Sequence, residues 1–337
     1  MMFAFKKVLA TLVLSITAAA CAGDGADDGA DDENASENEQ PRVISAAGLV
    51  VSVAFSPDGR TIAAGTANHL VRLFDAQTLK SLLTLKGHTD VVTSVAFSPD
   101  GKQLASVGFD RTLRLWDVAS GELTASLKSH SGQIRQVCYS PDGRSIATCG
   151  DDQVVHIWHV EKRVVEQSFT NFSAPVTAVG FAPNGRRLVV ASDGDVDLWD
   201  LEKGKIESRI GESSEPVRSV SYSADGNRVA ASFDKQLQIW DTETGKLSQS
   251  ISTSHPVLCV RFSPDSKLLA SSGKDRQVRL WDVETGKSLA EFAGHSLFVY
   301  AVDFDPEGQR LVSGSIDNTI RIWQLPTGEG PGPGKGN

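Results

Sequence analysis

Six tryptophans occur in the chain, and all six fall at one place in a repeating unit. Trp116, Trp158, Trp199, Trp240, Trp281 and Trp323 follow one another at intervals of 41 or 42 residues. Phe74 stands one period earlier, which makes seven copies. A period of this length, with apolar strand patterns on both sides of a tight turn in every copy, specifies four-stranded units that stack around an axis to bury their faces. The fold class predicted is all-β, a seven-bladed β-propeller.

Each copy has the same internal order. It opens with an apolar strand running into a turn: SVAFSPDG at 52–59 and 94–101, QVCYSPDG at 136–143, AVGFAPNG at 178–185, SVSYSADG at 219–226, CVRFSPDS at 259–266 and AVDFDPEG at 301–308. Pro presets φ, and Asp or Gly accepts the remaining dihedrals of a reverse turn. A second strand such as QLASVG (103–108) follows. A third, such as TLRLWD (112–117), carries the Trp, and a weaker fourth closes the copy. In this order and in these residues, residues 42–325 resemble the WD40 repeat family. The lone strand PRVISAAG (41–48) precedes the first copy, and the last copy has no fourth strand. The N-terminal strand is therefore predicted to complete the last blade, which removes exposed sheet edges.

An Asp stands six positions before the Trp in six copies, as Asp110, Asp152, Asp193, Asp234, Asp275 and Asp317, with Asn68 before Phe74. The WD40 resemblance implies that this Asp, the Trp, a Ser or Thr of the second strand and a His ahead of the first form a hydrogen-bonded network. Four copies carry the full set: His88, Ser106, Asp110, Trp116; His130, Thr148, Asp152, Trp158; His255, Ser271, Asp275, Trp281; and His295, Ser313, Asp317, Trp323. The copies ending in Phe74, Trp199 and Trp240 lack the His and are expected to be softer. His, Asp and Ser together also suggest a hydrolase triad, but a catalytic site occurs once per chain and this set recurs. No catalytic residue is assigned.

Lys6 and Lys7 precede a thirteen-residue, largely apolar run from Val8 to Ala20, followed by Cys21. A charged, then apolar, then small-residue order is that of an export signal, and the run is too short for a permanent membrane helix. It resembles a bacterial lipoprotein signal with Cys21 as the lipidated residue, except that Ala18 stands where that family usually has Leu. Ordinary cleavage after Ala20 is the alternative. The expected organisation is thus a signal peptide (1–20), a lipidated Cys21 with an acidic tether (21–41), the propeller (42–325) and a disordered Gly/Pro tail (326–337). Membrane attachment is expected only through the lipid, at the cell envelope.

Of the formal charge of −9, the first twenty residues carry +2 and residues 22–40 carry −8, which leaves −3 for the rest. A nearly neutral ring lacks the basic stripe of a nucleic-acid reader, so that partner class is disfavoured. Cys138 and Cys149 fall on neighbouring strands as diagonal neighbours, too far apart for an easy disulfide, and with Cys259 read as small buried thiols. Asp193, Asp195 and Asp197 alternate as in a calcium loop but lack the glycine that should follow. No phosphate loop or zinc spacing appears, so no cofactor or metal is assigned.

A surface for protein partners remains. The residue before the network Asp sits on a turn, and Phe109, Phe233 and Ile316 are unexpected there if only solvent meets them; packing between blades is the competing reading. Before the core valine of each first strand the copies vary: Val51, Thr93, Arg135, Thr177, Arg218, Leu258 and Tyr300, with Phe298 alongside. The partner-binding candidates are Phe109, Phe233, Ile316, Arg135, Arg218, Phe298 and Tyr300. One inner column reads Ala54, Ala96, Cys138, Gly180, Ser221, Arg261 and Asp303, and its two charges in adjacent blades are expected to pair. The sequence reads as a monomeric, non-enzymatic interaction scaffold at a bacterial envelope. The rival readings are an outer-membrane assembly factor and an enzyme using the channel mouth.

Overall fold

The computed structural model describes residues 41–326. Cys21, the acidic segment 22–40 and residues 327–337 lie outside the described residues.

The described residues form seven antiparallel four-stranded sheets. In the first blade, strand a is Val50–Phe55, b is Thr61–Thr66, c is Leu70–Asp75 and d is Ser81–Lys86. The a strands of the seven blades stand side by side about the axis, and the last, Val299–Phe304, lies against the first. Arg42–Ser45 pairs antiparallel with Thr319–Gln324, Arg42 facing Ile322 and Ser45 facing Thr319. The chain's first described strand thus completes its last blade, as the sequence implies, and the ring is closed by hydrogen bonds between its two ends.

The core lies in the seams between blades. Among the described residues there are seven apolar clusters, and each draws on two consecutive blades. Ile62 and Phe74 of the first blade, for example, pack with Val312 and Ile320 of the seventh. The b strands are buried along most of their length, whereas the d strands alternate and expose one apolar residue each, such as Leu82 and Leu247. Continuous apolar runs near the axis and alternation at the rim follow from burial on two faces and on one.

The turn between strands a and b explains its own motif. Ser56 Oγ donates to Asp58 at 2.5 Å and accepts the N–H of Thr61 at 2.9 Å, which clasps the turn. Gly59 has φ +67°, and a Cβ there would stand 3.3 Å from Pro306 of the preceding blade in the ring. The glycine therefore supplies both the left-handed backbone and the close approach of adjacent turns. In the sixth blade Ser266 takes this place at φ 63°, and its hydroxyl accepts the N–H of Asp225 at 3.1 Å.

Candidate functional site

The polar networks sit inside the blades. Trp116 Nε1–H donates to Ser106 Oγ at 2.8 Å. An indole nitrogen only donates, so the serine hydroxyl proton is left for Nε2 of His88 at 2.7 Å, and Nδ1–H of His88 then donates to Asp110 at 2.8 Å. The same chain runs from Trp158 through Thr148 and His130 to Asp152, and from Trp323 through Ser313 and His295 to Asp317. Burial pushes the Asp110 carboxyl up, but the hydrogen bonds from His88, Thr112 and the N–H of Thr89 outweigh it and hold the group well below the usual carboxylate range. Asp317 is held low in the same way by His295 and Thr319. Ser106, Thr148 and Ser313 are fully buried, so no substrate reaches these hydroxyls. The networks brace the blades.

The fourth predicted network is not formed. His255 is exposed, and its Nδ1 meets the hydroxyl of Ser254 at 3.0 Å. Asp275 is instead bound by Arg279. The reason is loop length: His88, His130 and His295 stand four residues before the first residue of strand a, whereas His255 stands two before Val257 and cannot reach back into the blade. Trp281 still donates to Ser271 at 2.8 Å. In the first blade the set is replaced as a unit, with Ala46, Ala64 and Phe74 forming an apolar contact. That blade therefore leaves no orphaned donor in this position. The fourth blade differs: Phe172 and Val190 remove the partners, and Trp199 Nε1 is buried with no hydrogen-bond partner.

The seven variable residues before the core valines share one geometric cause. In six blades strand a pairs with strand b through a one-residue register shift, and the skipped residue is Val51, Thr93, Arg135, Thr177, Leu258 or Tyr300. A bulge leaves its extra residue outside the ladder and re-aims the side chain. Arg218 holds the equivalent place just before Ser219–Tyr222. All seven are partly exposed, and they encircle the end of the channel away from the a–b turns. Their chemistry is uneven. Arg135 is clamped by Asp151 through bonds of 2.6 and 3.0 Å. Arg218 has a buried Nε with no hydrogen-bond partner, and its charge acts on Tyr300. Lys274 lies 6.0 Å from the ring centre of Phe298. The parts played by Asp151 and Lys274 were not anticipated. Asp151 stands just before Asp152 and Lys274 just before Asp275, in the same column as Phe109, and their opposite charges at that height are the available signal.

The sequence family described as WD domain, G-beta repeat matches residues 39–75, 79–117, 121–159, 164–200, 204–241, 245–282 and 286–324, seven segments that each join the outer strand of one blade to the three inner strands of the next. The chain belongs to the WD40 repeat family. It is also similar to an uncharacterized WD repeat-containing protein of Nostoc sp. (strain PCC 7120), with 51% identity over 45 residues; this is 13% of the chain and 3% of that much longer protein.

Three of the predicted contact residues belong to the WD40 frame and not to its surface. Phe109, Phe233 and Ile316 are 5%, 1% and 2% exposed. The amide of Phe109 donates to Val91 O and that of Ile316 to Phe298 O. These bonds prolong the pairing of strands a and b by one residue, so the side chain continues the alternation into the blade instead of facing the turn's solvent side. Arg135 of the next blade covers Phe109, and Phe233 packs edge-on against Trp240. Arg135, Arg218, Phe298 and Tyr300 keep their partial exposure.

Inside the channel the predicted Arg261–Asp303 pair is also not formed. Asp303 accepts the N–H of Phe55 in the first blade, while Arg261 donates to Val260 O at 2.9 Å and Ser219 Oγ at 3.4 Å. Each charge is held by the nearest backbone before it reaches the other. Asp195 and Asp197 likewise have a resident cation, since Arg209 binds them at 2.7 and 2.8 Å. Cys138 and Cys149 are free and lie diagonally, Cys138 opposite Ala147 and Cys149 opposite Gln136.

Proposed function

We propose that the WD40 ring is a protein-interaction scaffold whose partner docks on the bulge-lined channel mouth, and that Cys21 tethers it by a lipid to a bacterial envelope. One observation carries the docking site. The ring repeats its structural residues from blade to blade, yet the six bulge residues and Arg218 are partly exposed and are of five different types. A frame that held these positions only for stability would have no use for such variety. Arg218, Phe298 and Tyr300 gather partly exposed aromatic and arginine side chains, the types that anchor interfaces. Family membership supports the broad role, since WD40 propellers generally mediate protein–protein interaction.

Export and anchoring rest on the Lys6–Lys7, apolar and Cys21 order of the sequence. The test is crosslinking of the full chain in its envelope fraction. The adduct obtained with the natural ring should be lost in Arg218→Ala/Tyr300→Ala and kept in Leu247→Ala, a change on the outer rim. An adduct that survives the first variant and disappears in the second would move the site to the outer strands.

A further inference from the structure

The end of the channel beside the a–b turns opens into a cavity of about 520 Å³. That size lies within the roughly 300–1,000 Å³ of small-ligand sites. Its wall is built from the inner column of the a strands. Five of the seven positions in that column are small and uncharged, Ala54, Ala96, Cys138, Gly180 and Ser221, and they leave the space open. The other two are Arg261 and Asp303, in adjacent blades.

These two charges are fixed without being neutralised. Asp303 is held by backbone, its Oδ2 accepting the N–H of Phe55 at 2.9 Å and its carboxylate also taking the N–H of Phe304. Arg261 uses one Nη on Val260 O and Ser219 Oγ, and no carboxylate of the described residues lies within ion-pair distance of it. Its field reaches Asp303 in the adjacent blade and, across the channel, Cys138 three blades away around the ring. Opposite charges beside a cavity, each tethered by the frame, are the two ends of a preorganised site, because the cost of ordering them was met when the ring folded.

We propose that this cavity binds a small zwitterion of the amino-acid class, its carboxylate on Arg261 and its ammonium on Asp303. An anion alone would meet the field of Asp303 once it reached Arg261, and a cation alone would meet that of Arg261. A ligand carrying both charges satisfies both groups at once. The site lies at the opposite end of the channel from the bulge residues, so it stands or falls apart from the docking site proposed above.

Isothermal titration calorimetry of the full-length chain with each of the standard amino acids, and with acetate and ethylammonium as single-charge controls, tests the assignment. A saturable heat is expected from at least one amino acid and from neither control at the same concentration. Arg261→Gln and Asp303→Asn should each weaken that binding at least tenfold while leaving the circular dichroism spectrum unchanged. Ala96→Leu narrows the cavity without touching either charge and should abolish the heat, which keeps the test open if a charge variant fails to fold. Absence of heat from every amino acid, equal binding of acetate, or binding untouched in all three variants would overturn the proposal.

Discussion

The carboxylate of Asp303 in the seventh blade accepts the backbone N–H of Phe55 in the first at 2.9 Å, across 248 positions of sequence. It belongs to a series of rungs in which a side chain of one inner strand bonds the backbone of the next. Ser52 accepts the N–H of Val95, Ser94 that of Val137, Gln136 that of Val179 and Ser219 that of Val260. At the join of the ring the rung is a carboxylate, placed where the two ends of the chain must hold together. The outer strands close the join by sheet pairing, and Asp303 closes it at the axis.

That placement gives the ring a specific pH response. Burial raises the Asp303 carboxyl to about 6, against the opposing pull of Arg261 and the Phe55 N–H. A carboxyl whose folded pKa exceeds its unfolded one binds its proton more tightly when folded. Stability therefore falls as pH rises from about 4 to about 6, by roughly 2–3 kcal/mol at 1.36 kcal/mol per unit, and is level above that. Asp110, Asp152 and Asp317 act in the opposite sense: lowered in the fold, they stabilise above the unfolded value and lose that contribution as pH drops below about 4. Urea unfolding of Asp303→Asn should lack the decline between pH 4 and 6 and keep the loss at lower pH. Parallel curves for the variant and the natural chain across pH 4–6 would rule this out.

The two kinds of Trp environment predict unequal responses to one substitution. Trp116 donates to Ser106, so Trp116→Phe removes a buried hydrogen bond as well as volume. Trp199 has no acceptor for Nε1 and lies between Phe169 and Phe172 at 4.9 and 5.2 Å between ring centres. Trp199→Phe therefore removes an orphaned donor, as the first blade already does with Phe74. The Trp116 variant should lose about 1–2 kcal/mol more than the Trp199 variant in chemical denaturation. Equal losses would mean that the indole donors carry little of the blade's stability.

Much of this ring was legible because the repeat supplies its own alignment. The period located every blade, and the unmatched strand at 41–48 located the closure. Residue type alone misleads where spacing and backbone contacts decide the outcome. His255 looked like a network histidine until the two-residue distance to Val257 is set against four in the other blades. Phe109 and Ile316 read as turn residues because nothing in a single copy shows that their amides extend the ladder, and Phe233 because nothing there shows its packing on Trp240. Arg261 and Asp303 looked like partners because charge complementarity is visible in sequence, whereas the nearer backbone groups that hold each of them are not.

Burial of the turn phenylalanines makes them stability residues. Phe109→Ala and Phe233→Ala should each cost about 3–4 kcal/mol, the range for removing a buried aromatic ring, and lower the melting temperature of the full chain. Phe298→Ala, partly exposed beneath Lys274, should cost under about 1.5 kcal/mol. If Phe109→Ala leaves the unfolding midpoint unchanged, its side chain is not part of the seam.

Loop length decides which histidines enter their blades. His88 links Ser106 to Asp110, and His88→Ala leaves a buried carboxylate with fewer donors and a buried hydroxyl with no acceptor in the network, at about 2–4 kcal/mol. The exposed His255 side chain bonds the hydroxyl of its neighbour Ser254, and its backbone bond from Thr253 survives truncation, so His255→Ala should stay within about 0.5 kcal/mol. Two inserted residues between His255 and Val257 would restore the spacing of the other blades, but Asp275 is already bound by Arg279. The insertion alone should therefore bring no gain. Combined with Arg279→Gln, it should place His255 against Asp275, and the double change should be more stable than Arg279→Gln alone. A combined variant no better than Arg279→Gln would show that spacing was not what kept this histidine out of its blade.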